Sequence, residues 1–419
     1  MTAPAMRAAI RRWYPLGLVF LATGLSAAMW APFLTLFLTD EVHANSWQVT
    51  LFLVSSPVAG VAVSTLVGRV SDRRPIRRRI LLVAALAGVV STTVTAFVRD
   101  YWVLLAVAVT MMAIAGSVMP QAFAYARVVL QDSPTAAMTT SALRTLFSIA
   151  WVGGPPLAAV LLDLGGFTAS YGFAAVMYAV AALVAYVWLP EPKPALGSAS
   201  SAGAGSAPIV VRPEASRRVI AMSVLAFALL QSATGLGVQS MSLLITGPLH
   251  APLSNAGLIL GLCAALEIPL MLSFGALSTR VPLRRLLLAG PLVSIAYLLV
   301  AGTAQHVWVL LAAQILNACT ISLVQGLGVT YIQDLMPAHP GRASTLFANT
   351  FAAGLILAGP ILGASQHFGY RTSYAIAAGI AACGFVLLVT ARPPATRVVT
   401  EPVAPESVTP DLALEATAI

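Results

Sequence analysis

One carboxylate stands apart in this sequence. Glu267 sits inside an apolar run, in the stretch A-L-E-I-P at 265–269. An ionised acid there costs roughly 2.5–3.5 kcal/mol to hold in hydrocarbon. It either carries a proton or pairs with a cation or polar ligand, and both states suit a site that couples proton movement to the movement of something else. The plainer reading is a carboxylic acid hydrogen-bonded between helices. Arg144 is the basic counterpart, one or two turns into another apolar run. It either binds ligand hydroxyls, pairs with a carboxylate, or snorkels its guanidinium toward lipid headgroups.

Around these two, amides, hydroxyls and indoles recur at spacings of three, four and seven, which puts them on single helix faces. Arg144, Ser148, Trp151 and Pro155 form one stripe, and Gln231, Gly235, Gln239 and Ser242 a second. Gln314, Asn317, Gln325 and Gly328 form a third, Ser117, Gln121 and Tyr125 a fourth, and Thr23, Ser26 and Trp30 a fifth. Amides supply donors and acceptors for hydroxyls, and an indole supplies a flat apolar surface for the C–H face of a ring. Hydrogen bonding between helices uses the same residue types and is the competing explanation for any one of them.

The elements that hold these residues follow from composition. The 419 residues are 59% hydrophobic and 9% charged, with a mean hydropathy of +0.89. A soluble chain of this length needs far more charge to cover its surface. Apolar runs long enough to cross a bilayer recur throughout and do not alternate as barrel strands would, so they are read as helices. The expected spans are 14–39, 47–70, 80–98, 102–123, 139–162 and 169–189, then 218–246, 255–278, 285–303, 307–331, 344–366 and 372–391. The first follows Arg7, Arg11 and Arg12 but is too long for a signal-peptide core, and reads as an uncleaved helix. With the N-terminus inside, all Lys and Arg except Arg99, Arg371, Arg127 and Arg144 fall in cytoplasmic loops or tails. That bias predicts a multi-pass protein of a bacterial inner membrane with both termini cytoplasmic. The net charge of +9 is thereby explained without nucleic acid. Trp13, Trp47, Trp102, Trp188 and Trp308 fall at span ends, as an aromatic belt does. The three Cys lie in different spans and the five His at span ends or in loops, so no disulfide framework, haem or metal site is expected, and no cofactor.

The chain divides into halves: an N-terminal six-helix bundle (1–189), a Pro-, Gly- and Ser-rich cytoplasmic linker (190–217), a C-terminal six-helix bundle (218–391) and a polar tail (392–419) expected to be disordered. The halves repeat each other. G-R-V-S-D-R-R-P-I-R-R-R at 68–79 aligns with G-A-L-S-T-R-V-P-L-R-R-L at 275–286, an offset of 207. Gly154-Pro155 aligns with Gly359-Pro360 at 205, and G-F-T-A-S-Y at 166–171 with G-Y-R-T-S-Y at 369–374 at 203. On these offsets the counterpart of Glu267 is Gly60 and that of Arg144 is Asn349, so neither charge belongs to the shared scaffold. Gln333-Asp334 echoes Gln131-Asp132 at helix ends, a place for capping or gating. Two similar halves around a path at mid-membrane are a recurrent transporter plan.

Gly68, Asp72 and Arg73, followed by Arg77 and Arg78, resemble the cytoplasmic signature of the major facilitator superfamily, with Pro75 where Gly is usual and Thr279 in place of the acid in the second copy. The resemblance implies a gate in which a carboxylate among guanidiniums makes bonds that a rocking motion breaks. Within that superfamily the chain resembles the sugar efflux transporters. This rests on A-P-F-L-T-L-F-L-T at 31–39, M-P-Q-A-F-A-Y-A-R at 119–127, A-W-V-G-G-P-P-L-A at 150–158, A-L-E-I-P at 265–269, Q-D-L-M-P at 333–337 and S-T-L-F-A-N-T at 344–350. The family implies an all-α polytopic fold of twelve transmembrane helices in two pseudo-symmetric bundles. It also implies a monomer that exports small sugars or glycosides by alternating access, by antiport with protons. Helix 4 lacks an arginine in its outer and middle parts, so the proton relay of drug antiporters does not transfer. A multidrug exporter of the same superfamily is the alternative, and it would favour an aromatic, Met-rich cavity over an amide-rich one. An enzyme would need clustered acids or a nucleophile–base pair, and a receptor would need a folded output domain. The expected substrate-binding or coupling set is Glu267, Arg144, Trp151, Gln121, Gln231, Gln239, Asn317, Gln325, Asn349 and Trp30. The expected gate is Gly68, Asp72, Arg73, Arg77 and Arg78.

Overall fold

The computed structural model of the chain describes residues 3–73, 76–130, 136–191, 214–337 and 339–392. Most of the linker, the tail and Gln131-Asp132 lie outside the described residues, as do the side chains of Asp72, Arg73 and Arg144. Among the described residues every regular element is a helix. Eleven runs are long and apolar enough to cross a bilayer, and one of them holds two helices. The run Ala136–Val187 carries non-helical dihedrals at Gly165 and Gly166, the latter at φ 63°, a value that glycine adopts without a Cβ clash. That break separates α5 (136–164) from α6 (167–187) and restores the count of twelve.

The others are α1 (Tyr14–Glu41), α2 (Ser46–Arg73), α3 (Arg77–Phe97), α4 (Tyr101–Ala126), α7 (Arg217–Thr246), α8 (Ser254–Leu277), α9 (Leu283–Thr303), α10 (Val307–Leu335), α11 (Pro340–Phe368) and α12 (Tyr370–Thr390). Local chemistry fixes several ends. The Asp100 side chain accepts from the Val103 amide at the start of α4, and the Ser216 hydroxyl does the same for Val219 at the start of α7. Winding departs from α in two helices. In α1 a 3-10 turn runs Ala31–Phe33 around Pro32, and in α4 a π turn runs Ala108–Met112.

The end that carries the chain termini is here the proximal end and the opposite one the distal end. Two buried apolar cores occupy them unequally. One gathers Leu16, Phe20, Leu81, Tyr125, Leu143 and Leu189, all near the proximal end of α1–α6. The other joins Met29, Phe33, Phe37, Phe52 and Tyr171 from the distal part of α1–α6 to the interior of α7–α12. The two sets of helices thus share a core distally and not proximally.

Candidate functional site

The shared distal core is closed by two glycine-lined seams. Along α8, a Cβ at Gly257 would stand 2.5 Å from Pro155 O, and one at Gly261 would stand 2.7 Å from Val152 O, so α5 and α8 meet backbone to backbone. Along α11, a Cβ at Gly359 would stand 3.1 Å from Leu53 Cβ, and one at Gly363 would meet Ser46 O at 2.6 Å as well as the Thr50 hydroxyl. Each pair is spaced G-x-x-x-G, the pattern that lets helices approach closely in lipid. Two polar contacts lie alongside. Thr35 Oγ1 donates to Gln239 Oε1 at 3.0 Å, and Ser46 Oγ stands 2.9 Å from His367 Nε2. Toward the proximal end the same helices part, and sites for a Cβ at Gly60, Gly68 and Gly275 have no atom within 4 Å.

The sequence-derived candidates fall at different places on this frame. Glu267 lies six residues past Gly261 on α8, about 9 Å beyond the seam at 1.5 Å per residue. It is half-buried, and its backbone carbonyl accepts from Ser322 Oγ on α10 at 3.3 Å. Trp151 is half-buried at the seam's edge, its ring 6.4 Å from that of Phe147. Gln231 lies two turns below Gln239 on α7 and is buried, as is Gln121 on α4. Among the described residues, Trp30 Nε1, Trp151 Nε1, Gln121 Oε1 and Gln231 Oε1 are buried without a hydrogen-bond partner. Most of the other unpartnered buried groups among the described residues are serine hydroxyls, so these four are among the larger polar groups that water or a hydroxylated ligand would complete.

The remaining candidates have other engagements. Gln239 is held across the distal interface by Thr35. Asn317 Nδ2 donates to Gln314 Oε1 at 3.0 Å, and Gln314 donates in turn to Leu310 O, a buried chain internal to α10. Gln325 is half-buried and Asn349 exposed on α11. Arg144 is in α5, with its side chain outside the described residues. Tyr125, on the α4 stripe, donates to Pro190 O at 2.7 Å and serves the proximal packing of its own bundle.

Of the signature residues, Gly68 lies in the last turns of α2, facing open space. Arg78 does something local and specific. Its Nε donates to Ala185 O at 3.1 Å, its Nη2 to Tyr186 O, and its guanidinium lies 5.9 Å from the Tyr186 ring centroid. It therefore caps the carboxyl end of α6, whose last carbonyls lack helical partners. Arg284 repeats the device in the second half, donating to Leu388 O and Val389 O at the end of α12. Arg78→Ala is expected to lower stability in detergent by about 1–2 kcal/mol, because two charge-assisted bonds to otherwise orphaned carbonyls are lost. Arg79→Ala, at an exposed neighbour, is expected to be neutral. Equal melting shifts for the two variants would contradict the capping role.

Sequence reasoning marked the small residues at 353–363, Gly359 and Gly363 among them, for close packing, and missed Thr35, Ser46, the contact of His367 and the α8 pair Gly257 and Gly261. Only the glycines had a legible signal, in their spacing.

The family model of the Major Facilitator Superfamily matches residues 16–301 and again 225–415. Sugar efflux transporter A of Dickeya chrysanthemi is 34% identical over 86% of this chain and 92% of its own. Sugar efflux transporter C of Escherichia coli K12 is 32% identical over 88% of this chain and 93% of its own. The crystal structure of a nucleoside transporter superposes with a TM-score of 0.73 at 15% identity, covering 90% of this chain and 98% of that one, a likeness of fold alone. The relatives and the fold are those of transporters rather than enzymes.

Proposed function

This chain belongs to the sugar efflux transporter family of the major facilitator superfamily, and on that premise we propose that it exports small sugars or glycosides by alternating access in exchange for protons. The observation that carries the reading is Glu267 on α8 and the unpartnered buried indole of Trp151 on α5, both just proximal to the α5–α8 seam, with the unpartnered Gln231 amide on α7. Indole faces and amide edges together are what a polyhydroxylated ring needs. The basic loops at the proximal end support a cytoplasmic position for that end. The conformation is then the inward-facing one, with the site open to the compartment from which an exporter loads.

Proton coupling is assigned to Glu267. It is half-buried within a span, and its loading with a proton from outside would permit return of the empty carrier. Trans-membrane voltage then adds about 2.3 kcal/mol per 100 mV for each proton moved inward. The chain is expected to work as a monomer in a bacterial inner membrane, with its two bundles joined by the linker as moving bodies.

The test uses inverted and right-side-out vesicles with an imposed pH gradient. Inverted vesicles, acid inside, are expected to accumulate radiolabelled methyl glucoside and to lose the accumulation when the gradient is collapsed. Accumulation of cationic dyes in place of the glucoside would favour the drug-exporter reading. Glucoside uptake indifferent to the gradient would remove proton exchange while leaving sugar movement standing.

A further inference from the structure

Tyr171 and Tyr374 occupy equivalent places in the two halves, separated by the offset of 203. The Tyr374 hydroxyl donates to Gly237 O at 3.0 Å and locks α12 to α7. Tyr171 is as deeply buried, at 2% exposure against 0%, yet among the described residues its hydroxyl has no partner. It faces a cavity of about 30 Å³ in the distal part of the N-terminal helices, bounded by Trp30, Phe52, Ser91, Ala108 and Met112 among others. Ser91 is 1% exposed, and both its hydroxyl and Trp30 Nε1 also lack partners. Three residues from α1, α3 and α6, each with an unpartnered polar atom, thus line one small space.

The walls are irregular where they meet that space. Ala108 and Met112 begin and end the π turn of α4, and Trp30 immediately precedes the 3-10 turn of α1. Such windings expose backbone carbonyls and concentrate at functional sites. The polar set defines the guest. An indole N–H only donates, while serine and tyrosine hydroxyls both donate and accept, so the guest must offer an oxygen that accepts, and a hydroxyl meets that need while also using the hydroxyls' acceptor side. The space holds about two water molecules, too little for a sugar ring. The aromatic sides favour a short C–H-bearing arm over a bare ion.

Resting on the sugar-export reading, we propose that this cavity is a subsite for one exocyclic hydroxymethyl arm of the exported sugar, with water filling it between cycles. The test compares vesicle export of radiolabelled methyl glucoside with that of its 6-deoxy analogue, which keeps the ring and lacks the hydroxyl. Tyr171→Phe and Ser91→Ala are each expected to raise the KM for methyl glucoside about 2- to 10-fold, the effect of one lost neutral hydrogen bond, and to leave the 6-deoxy analogue unchanged. Tyr374→Phe, at the scaffold counterpart, is expected to affect both sugars alike. Equal losses for both sugars in Tyr171→Phe and Ser91→Ala would overturn the subsite, and so would no loss for either. Because the native chain is assayed first, its failure to export either sugar would sink the export reading itself, and the subsite with it.

Discussion

Glu267→Gln is expected to cut gradient-driven export of a labelled glycoside at least about tenfold while sparing downhill exchange of sugar for sugar. One pH unit is worth 1.36 kcal/mol, so a one-to-one exchanger sustains about a tenfold sugar ratio for each unit of inward proton gradient. A glutamine cannot release a proton, and it keeps the size and hydrogen-bonding edge of the neutral acid. The variant should therefore complete the sugar-loaded half of the cycle and fail to couple it. Its accumulation should be flat across an imposed pH gradient where the native chain's rises. Placement makes the effect specific: Glu267 stands past the α5–α8 seam, half-buried, with its backbone carbonyl taken by Ser322 of α10. A native pH response in Glu267→Gln would remove the coupling role from this residue and from the mechanism.

Gly363→Leu should arrest the cycle in the opposite conformation. A Cβ there meets Ser46 O at 2.6 Å and the Thr50 hydroxyl, both on α2, so the clash exists only when the distal end is closed. Overpacking costs about 1–3 kcal/mol and shifts the closure equilibrium roughly ten- to a hundredfold. Because α11's contacts within its own half are untouched at this position, folding and yield should survive. Export should fall by a similar factor, and an impermeant maleimide applied from outside should label Thr35→Cys faster in the Gly363→Leu background than alone. Unchanged labelling and unchanged export together would show that the α2–α11 seam does not open during transport.

Much of the frame could be read from residue types. The apolar runs gave twelve helices, and the point where the described structure counts eleven runs is a glycine pair in which continuous helical hydrogen bonding hides a reversal. Side-chain partners were harder. Helical spacing shows that Gln231 and Gln239 share a face of α7, but not that Thr35 crosses from the other half to engage one of them and leaves the other unpartnered. Arg78 sits in a motif that resembles a gate, and its described contacts are to the carbonyl ends of α6, a pairing across more than a hundred residues that no local pattern encodes. The G-x-x-x-G spacings on α8 and α11 signal close packing, yet spacing does not say against what. The partners were set by the docking of one half on the other.

The seams have a mechanical consequence. Each sets glycine against backbone atoms, Thr50, or the near carbons of Ala159, Pro156, Leu53 and Val54, so at the glycines themselves it brings helices very near while hiding little greasy surface per contact. Adhesion that depends on fit and carries little hydrophobic weight is strong when aligned and weak once slightly displaced, more like a ground-glass stopper than glue. A carrier that must part and rejoin the same two faces at every turnover needs that kind of joint, since a leucine-rich interface would hold it shut.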